Sequence, residues 1–312
     1  MSGREDNVAE RNVELAMLIM VVAMLLLPAI DALAKVLSAT VPVGLIVWSR
    51  FAFQTTLLAP DALRKQHSAQ SGLQLTHATR GGLLALTTLM FFVAVRVLPL
   101  AEAISIFFVE PLILTLLSAV LLRESIGWRR ISAVVLGFSG ALIIIQPSYE
   151  VFGLHALFPL GAALCFALYL ILTRRIARRE DPTTMQFYAG FYGLLVMSAS
   201  LAIGWMLNIS VLTPVWPTLA EWGLLALVGV VATVGHHMVV HAFRRAEAAI
   251  LAPFQYLEIV GATTYGFIIF GDFPDETTWL GVAIIVGSGF YVFRRERALA
   301  RRVSPKRLAR AC

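Results

Sequence analysis

A chain of 312 residues that is 59% hydrophobic, only 14% charged and has a mean hydropathy of +0.80 is excluded from the ordinary class of water-soluble domains. Its net charge of +6 does not point to nucleic acid, because most of the basic residues fall between apolar runs or in the terminal "RRERALARRVSPKRLAR". The two cysteines, Cys165 within an apolar run and Cys312, have neither disulfide nor zinc spacing, so redox and structural-metal chemistry are not expected.

Ten apolar runs are read as membrane spans. Span 1, Leu15 to Lys35, is longer than the core of a secretory leader and is expected to be retained. Near its end Asp31 and Lys35 stand four residues apart, which suits a local ion pair. Span 2, Pro42 to Ala59, holds Trp48 and Arg50 in "WSRF". Arg50 either grips a substrate carboxylate with its planar fork, or pairs with Asp31 or snorkels outward. Span 3 is Thr79 to Val97.

Span 4, Leu100 to Leu122, starts at "LPLAEAISIFFVEP". Glu102 faces the positive end of the helix dipole and reads as a cap. Glu110 lies ten residues into span 4, about 15 Å along a continuous helix and near the bilayer centre, where a carboxylate cannot face lipid. It either lines a cavity or bonds a neighbouring helix as the protonated acid. Pro111 removes one helix hydrogen bond, so a kink is expected beside it.

Span 5 is Arg130 to Gln146, span 6 Gly153 to Thr173 and span 7 Thr184 to Leu207, the last with Tyr188 and Tyr192. Span 8, Leu219 to Val240, ends in "GHHMVVH". His237 and His241 share a helix face there, but no acid or thiol stands near in sequence, so His236 and its neighbours read as packing or substrate contacts and no metal is expected. Span 9, Ala246 to Phe270, holds Glu247 as a cap, Pro253 as a second helix-break candidate, then Gln255, Tyr256 and the deep Glu258. Span 10 is Thr278 to Phe293. Of the mid-span aromatics, those with polar tips need a partner or water, which makes Tyr188, Tyr192 and Tyr256, with Gln255, stronger cavity candidates than Phe107 or Trp48. Glycines in "LGFSGA", "GLLALVGVVATVG" and "GVAIIVGSG" read as close helix packing.

Alternate segments, beginning with the N-terminal one, hold 22 of the 25 Lys and Arg residues; the others hold only Lys35 and Arg96, and Arg50 lies inside a span. That asymmetry places both tails, 1–14 and 294–312, in the cytoplasm. A shift of 148 residues lays Arg96 on Arg244, Glu110 on Glu258 and Glu124 on Asp272. Two five-span repeats, 15–146 and 153–293, are therefore expected, and an odd span number makes them inverted.

The stretches "IDALAKVL", "WSRF", "LPLAEAISIFFVEPLILTLLSAVLLRE", "LGFSGALIIIQP" and "AAILAPFQYLEIVGATTYGFIIFGD" resemble the drug/metabolite transporter superfamily, EamA-domain type, across residues 15 to 295. The resemblance implies an all-α membrane protein of ten transmembrane helices, two inverted five-helix repeats around a central cavity, with spans 5 and 10 outside. Within the superfamily the chain is similar to exporters of amino acids, including aromatic ones. It departs from the common pattern where Glu258 is followed by Ile259 and not by proline. The expected function is secondary export of amino acids or related metabolites across a bacterial inner membrane, with a proton as candidate coupling ion. A cationic-drug exporter is the rival. No cofactor, no nucleic-acid partner and no enzymatic constellation are expected beyond the lipid bilayer and a small-molecule substrate.

Overall fold

The computed structural model describes residues 2–64, 73–122, 153–176, 180–245, 254, 257–272 and 274–284, with scattered positions within 132–143 and 286–291; side chains are described from residue 14 onward. Among these residues the backbone is helical with no strand, and the fold is an all-helical membrane bundle. Five helices are long and apolar enough to cross a membrane, and Leu257–Phe270 is a shorter apolar one.

In chain order α1 is Ser2–Leu26, α2 Pro28–Leu37, α3 Val43–Arg64, α4 Gln74–Val97, α5 Leu100–Phe107, α6 Glu110–Leu122, α7 Leu157–Ile176, α8 Pro182–Met206, α9 Leu219–Arg245 and α10 Leu257–Tyr265. A wide-turn π segment, Gly266–Phe270, prolongs α10, and a single 3-10 turn, Gly153–Ala156, precedes α7. Most of span 5, the start of span 9 and scattered positions of span 10 lie outside the described residues.

The helix ends follow local chemistry. Asp181 caps α8, its carboxylate accepting from the backbone of Thr183 at 3.0 Å and Thr184 at 3.3 Å, with Pro182 where no helix hydrogen bond is lost. The same helix stops where Asn208 turns left-handed at φ 54° and the Ile209 amide returns to the Gly204 carbonyl at 2.9 Å. Thr218 and Glu221 cap α9 reciprocally: the Thr218 amide donates to Glu221 at 2.7 Å and the Glu221 amide to the Thr218 hydroxyl at 3.3 Å.

One expectation changes here. Span 4 is not a continuous helix with a kink. It ends at Phe107, turns through Phe108 and Val109, and restarts as α6 at Glu110. Pro111 therefore sits in the first turn of a new helix, where its missing N–H leaves no gap. The broken helix gives Glu110 a backbone setting that sequence periodicity does not reveal.

α3 packs along α8, α4 lies between α7 and α8, and α10 touches α1, α2 and α5. Contact is close because α8 offers glycines. A methyl on Gly193 would stand 2.9 Å from the Phe51 ring of α3, and Gly81 of α4 lies so near Tyr192 that a methyl would meet its Cβ at 2.5 Å. Gly229 and Gly235 of α9 admit Phe53 and Leu27 in the same way, although Gly223 faces no neighbour within 4 Å.

Candidate functional site

The site starts from a proline that the span count passes over. Pro28 at the first position of α2 lacks an amide hydrogen, so the carbonyl one turn earlier, in α1, loses its partner and the helix kinks. α10 packs into this bend: a methyl on Gly261 would stand 3.0 Å from the Pro28 ring, and the Tyr265 hydroxyl donates to the Leu25 carbonyl at 3.2 Å. Asp31 lies one turn beyond Pro28 and Glu258 one turn before Gly261, and the two carboxyl groups interact electrostatically.

Arg50 completes the centre from α3. It is 5% exposed, and its Nη1 donates to the Thr88 hydroxyl of α4. Its Nε is buried with no hydrogen-bond partner among the described residues. Asp31 and Tyr169 act on its charge, and it in turn acts on His236. His236 of α9 places Nδ1 2.8 Å from the Ala232 carbonyl; a carbonyl only accepts, so Nδ1 carries the proton and Nε2 keeps its lone pair. Six helices thus deliver Asp31, Arg50, Thr88, Tyr169, His236 and Glu258 to one polar centre. It combines one guanidinium, two carboxyls and neutral acceptors in an apolar bundle.

The other expected residues fall in several places. Phe107, just before the helix break, stands 5.3 Å from Phe91 and 5.7 Å from Phe166, and Phe166 stacks on Tyr169 at 5.6 Å, so an aromatic file joins the break to the centre. Glu110 is 8% exposed at the start of α6. Tyr188 packs on His77 at 4.8 Å and stacks with Tyr192 at 6.4 Å, forming a second aromatic group between α4 and α8. Trp48 is not gathered with Arg50: its indole donates to the exposed Ser198 of α8 at 2.8 Å, on another face of α3. Pro253, Gln255, Tyr256 and Glu247 lie outside the described residues. His237, His241 and Arg245 run along one face of α9, with nitrogens 2.9 Å and 3.2 Å apart.

Lys35 requires a correction. Its partner is not Asp31 but Asp272, 2.8 Å away and 237 residues on, with the Leu98 carbonyl at 3.3 Å and the Phe270 ring beneath it at 4.5 Å. The local pairing fails because Asp31, one helix turn earlier, turns toward the Arg50 centre. Glu102 in the first turn of α5 joins the Lys35 end, where Lys35, Asp272 and Asp275 all act on it electrostatically.

Sequence reasoning also passes over Arg80 and Tyr169. Arg80 counts as a loop cation by its place near the start of span 3, yet it is 1% exposed. The available signal was its position within the first two turns of α4, where a long side chain has room to turn inward.

The sequence matches the EamA-like transporter family over residues 14–146 and again over residues 153–294. The chain belongs to that family. The "Pseudopaline exporter CntI" of Pseudomonas aeruginosa is 31% identical over 276 residues, covering 86% of this chain and 92% of its own. An "S-adenosylmethionine uptake transporter" of Rickettsia bellii is 26% identical over 88% of this chain and 91% of its own. A "Riboflavin transporter" of Brucella anthropi is 27% identical over 78% and 84% respectively. A crystal structure with 21% identity superposes at a TM-score of 0.64, covering 92% of this chain and 98% of its own, which supports the fold. An EamA protein with these relatives is a membrane transporter of metabolites in the drug/metabolite superfamily, and the relatives are transporters and not enzymes.

Proposed function

We propose that this EamA protein is a secondary transporter in a bacterial plasma membrane, moving zwitterionic amino-acid-type metabolites outward by alternating access. One observation carries the reading: Asp31, Arg50, His236 and Glu258, drawn from both halves of the sequence, act on one another in the interior of the bundle. An α-amino acid presents a carboxylate and an ammonium, and this centre offers a guanidinium and two carboxyls. Arg50 receives the carboxylate through its fork, with Thr88 fixing the plane of the fork. Asp31 or Glu258 receives the ammonium, and the other carboxyl is free to carry an exchanging proton. The Phe107, Phe166 and Tyr169 file provides an apolar wall for the substrate side chain.

Alternation follows from the expected arrangement of ten spans in two inverted five-span halves with both tails cytoplasmic, in which Pro28 and the turn at Phe108 and Val109 are the points of bending. The outward direction is supported by the relative that is named an exporter. The test is counterflow in liposomes preloaded with unlabelled phenylalanine, methionine or threonine. The wild type should accumulate the labelled compound, and Glu258→Gln and Asp31→Asn should each lower the initial rate at least about tenfold, as expected for a lost charged contact. No accumulation of any of the three above empty liposomes sinks the amino-acid reading. Counterflow of tetraphenylphosphonium in the absence of amino-acid uptake would transfer the centre to cationic substrates.

A further inference from the structure

We propose that Arg80 forms a second anion subsite, a staging point for the carboxylate of the transported substrate, about two helical turns along α4 from the Arg50 centre. The proposal rests on the zwitterion reading above for its biological substrate. The chemistry of the subsite stands on its own residues.

Arg80 is among the largest fully buried side chains, at 1% exposure. Its Nε donates to the Thr173 hydroxyl of α7 at 3.0 Å. Its Nη1 lies 3.3 Å from His77 Nδ1 and 3.4 Å from the Met185 carbonyl of α8. His77 must accept through Nδ1, since the guanidinium can only donate, so its partner ring is neutral on that side. The Tyr169 ring closes a third side, 5.1 Å from the guanidinium carbon. Every one of these partners is a neutral dipole. Among the described residues no carboxylate pairs with Arg80.

A buried cation without a counter-charge is costly to keep, and a protein that needed only a brace between α4, α7 and α8 is better served by an uncharged residue. An anion that arrives and leaves gives the charge its complement. The planar fork selects a carboxylate, and the Tyr169 ring beside it, with His77 backed by Tyr188, offers flat surface suited to a substrate with an aromatic or apolar body.

Placement ties this subsite to the first. Arg80 and Thr88 are eight residues apart on α4, about 12 Å along the axis. Tyr169 and Thr173, one turn apart on α7, share a face. Tyr169 thus acts on Arg50 electrostatically while its ring packs beneath Arg80. A carboxylate handed from one guanidinium to the other passes along a single tyrosine.

The test needs no transport. The full chain, purified in detergent, is titrated with sodium benzoate against sodium chloride at constant ionic strength while thermal unfolding is followed. The expected result is a rise in Tm with benzoate and none with benzamide, the rise falling in Arg80→Gln and kept in Lys35→Gln, whose cation is already closed by Asp272. In Arg80→Lys, half-saturation should need at least about tenfold more benzoate, because charge is retained without the fork. Should the glutamine variant fail to purify as a monodisperse species, the lysine variant carries the same reading. A wild-type Tm that ignores benzoate, a response unchanged in both Arg80 variants, or an equal response to phosphate overturns the carboxylate subsite. Because the readout is binding, failed counterflow with an intact benzoate response removes the transport reading and leaves the subsite standing.

Discussion

Lys35 and Arg50 are both basic side chains drawn between helices, and the bundle completes only one of them. Lys35, near the end of α2, holds Asp272 at 2.8 Å, a backbone carbonyl at 3.3 Å and an aromatic face, with side chains 16% and 36% exposed across the pair. Arg50, seven residues into α3, is 5% exposed, rests on one hydroxyl and keeps Nε unengaged among the described residues, with Asp31 in electrostatic reach but not in direct ion-pair contact. A cation already closed by its own carboxylate fastens two segments together. One held by a hydroxyl retains the capacity to take a further anion.

The sharpest way to break that distinction is to remove each charge in turn. Arg50→Met should lower the initial rate of counterflow by at least about 30-fold, equivalent to roughly 2 kcal/mol for hydrogen bonds to a charged group. Lys35→Met should stay within about fivefold of wild type, the loss expected for a partly exposed pair. If the two losses are equal, Lys35 belongs to the substrate path and the division between fastening and working cations fails. A double-mutant cycle with Lys35→Met and Asp272→Asn then measures the fastening itself. Thermal unfolding in detergent should give a coupling of about 1 kcal/mol or less, because water reaches both partners. A coupling several times larger would mean that the pair is shielded when the chain sits in a bilayer-like environment.

Much of the fold was legible because the bilayer imposes it: apolar runs of sufficient length emerge as helices, and α4, α7, α8 and α9 lie within a few residues of the expected spans. Partner choice was not legible. Asp31 and Lys35 are ideally spaced for each other along one helix, yet a partner 237 residues away wins for Lys35, since spacing ranks only local options. The turn at Phe108 and Val109 was hidden because an apolar run looks the same whether its helix continues or restarts, and a proline fits either a kink or a first turn. Arg80 was hidden for a related reason. Its partners Thr173 and Met185 lie on two other helices, and nothing in the sequence near residue 80 announces them.

Trp48 sharpens the comparison at its weakest end, since it stands two residues from Arg50 on the same helix and was expected to share its site. Helical residues two positions apart point to nearly opposite faces. Arg50 therefore turns to Thr88 while Trp48 turns to Ser198 on α8. Trp48→Phe keeps the ring that packs against α8 and removes only the indole donor. An interhelical hydrogen bond in a membrane is worth about 0.6 kcal/mol on average. The variant should lose about that much stability in thermal unfolding and leave counterflow at the wild-type rate, together with its half-saturating substrate concentration. A change in half-saturation would show that the α3 and α8 contact shapes the binding centre after all, because a donor facing exposed Ser198 can affect the Arg50 side only by rotating α3 as a whole.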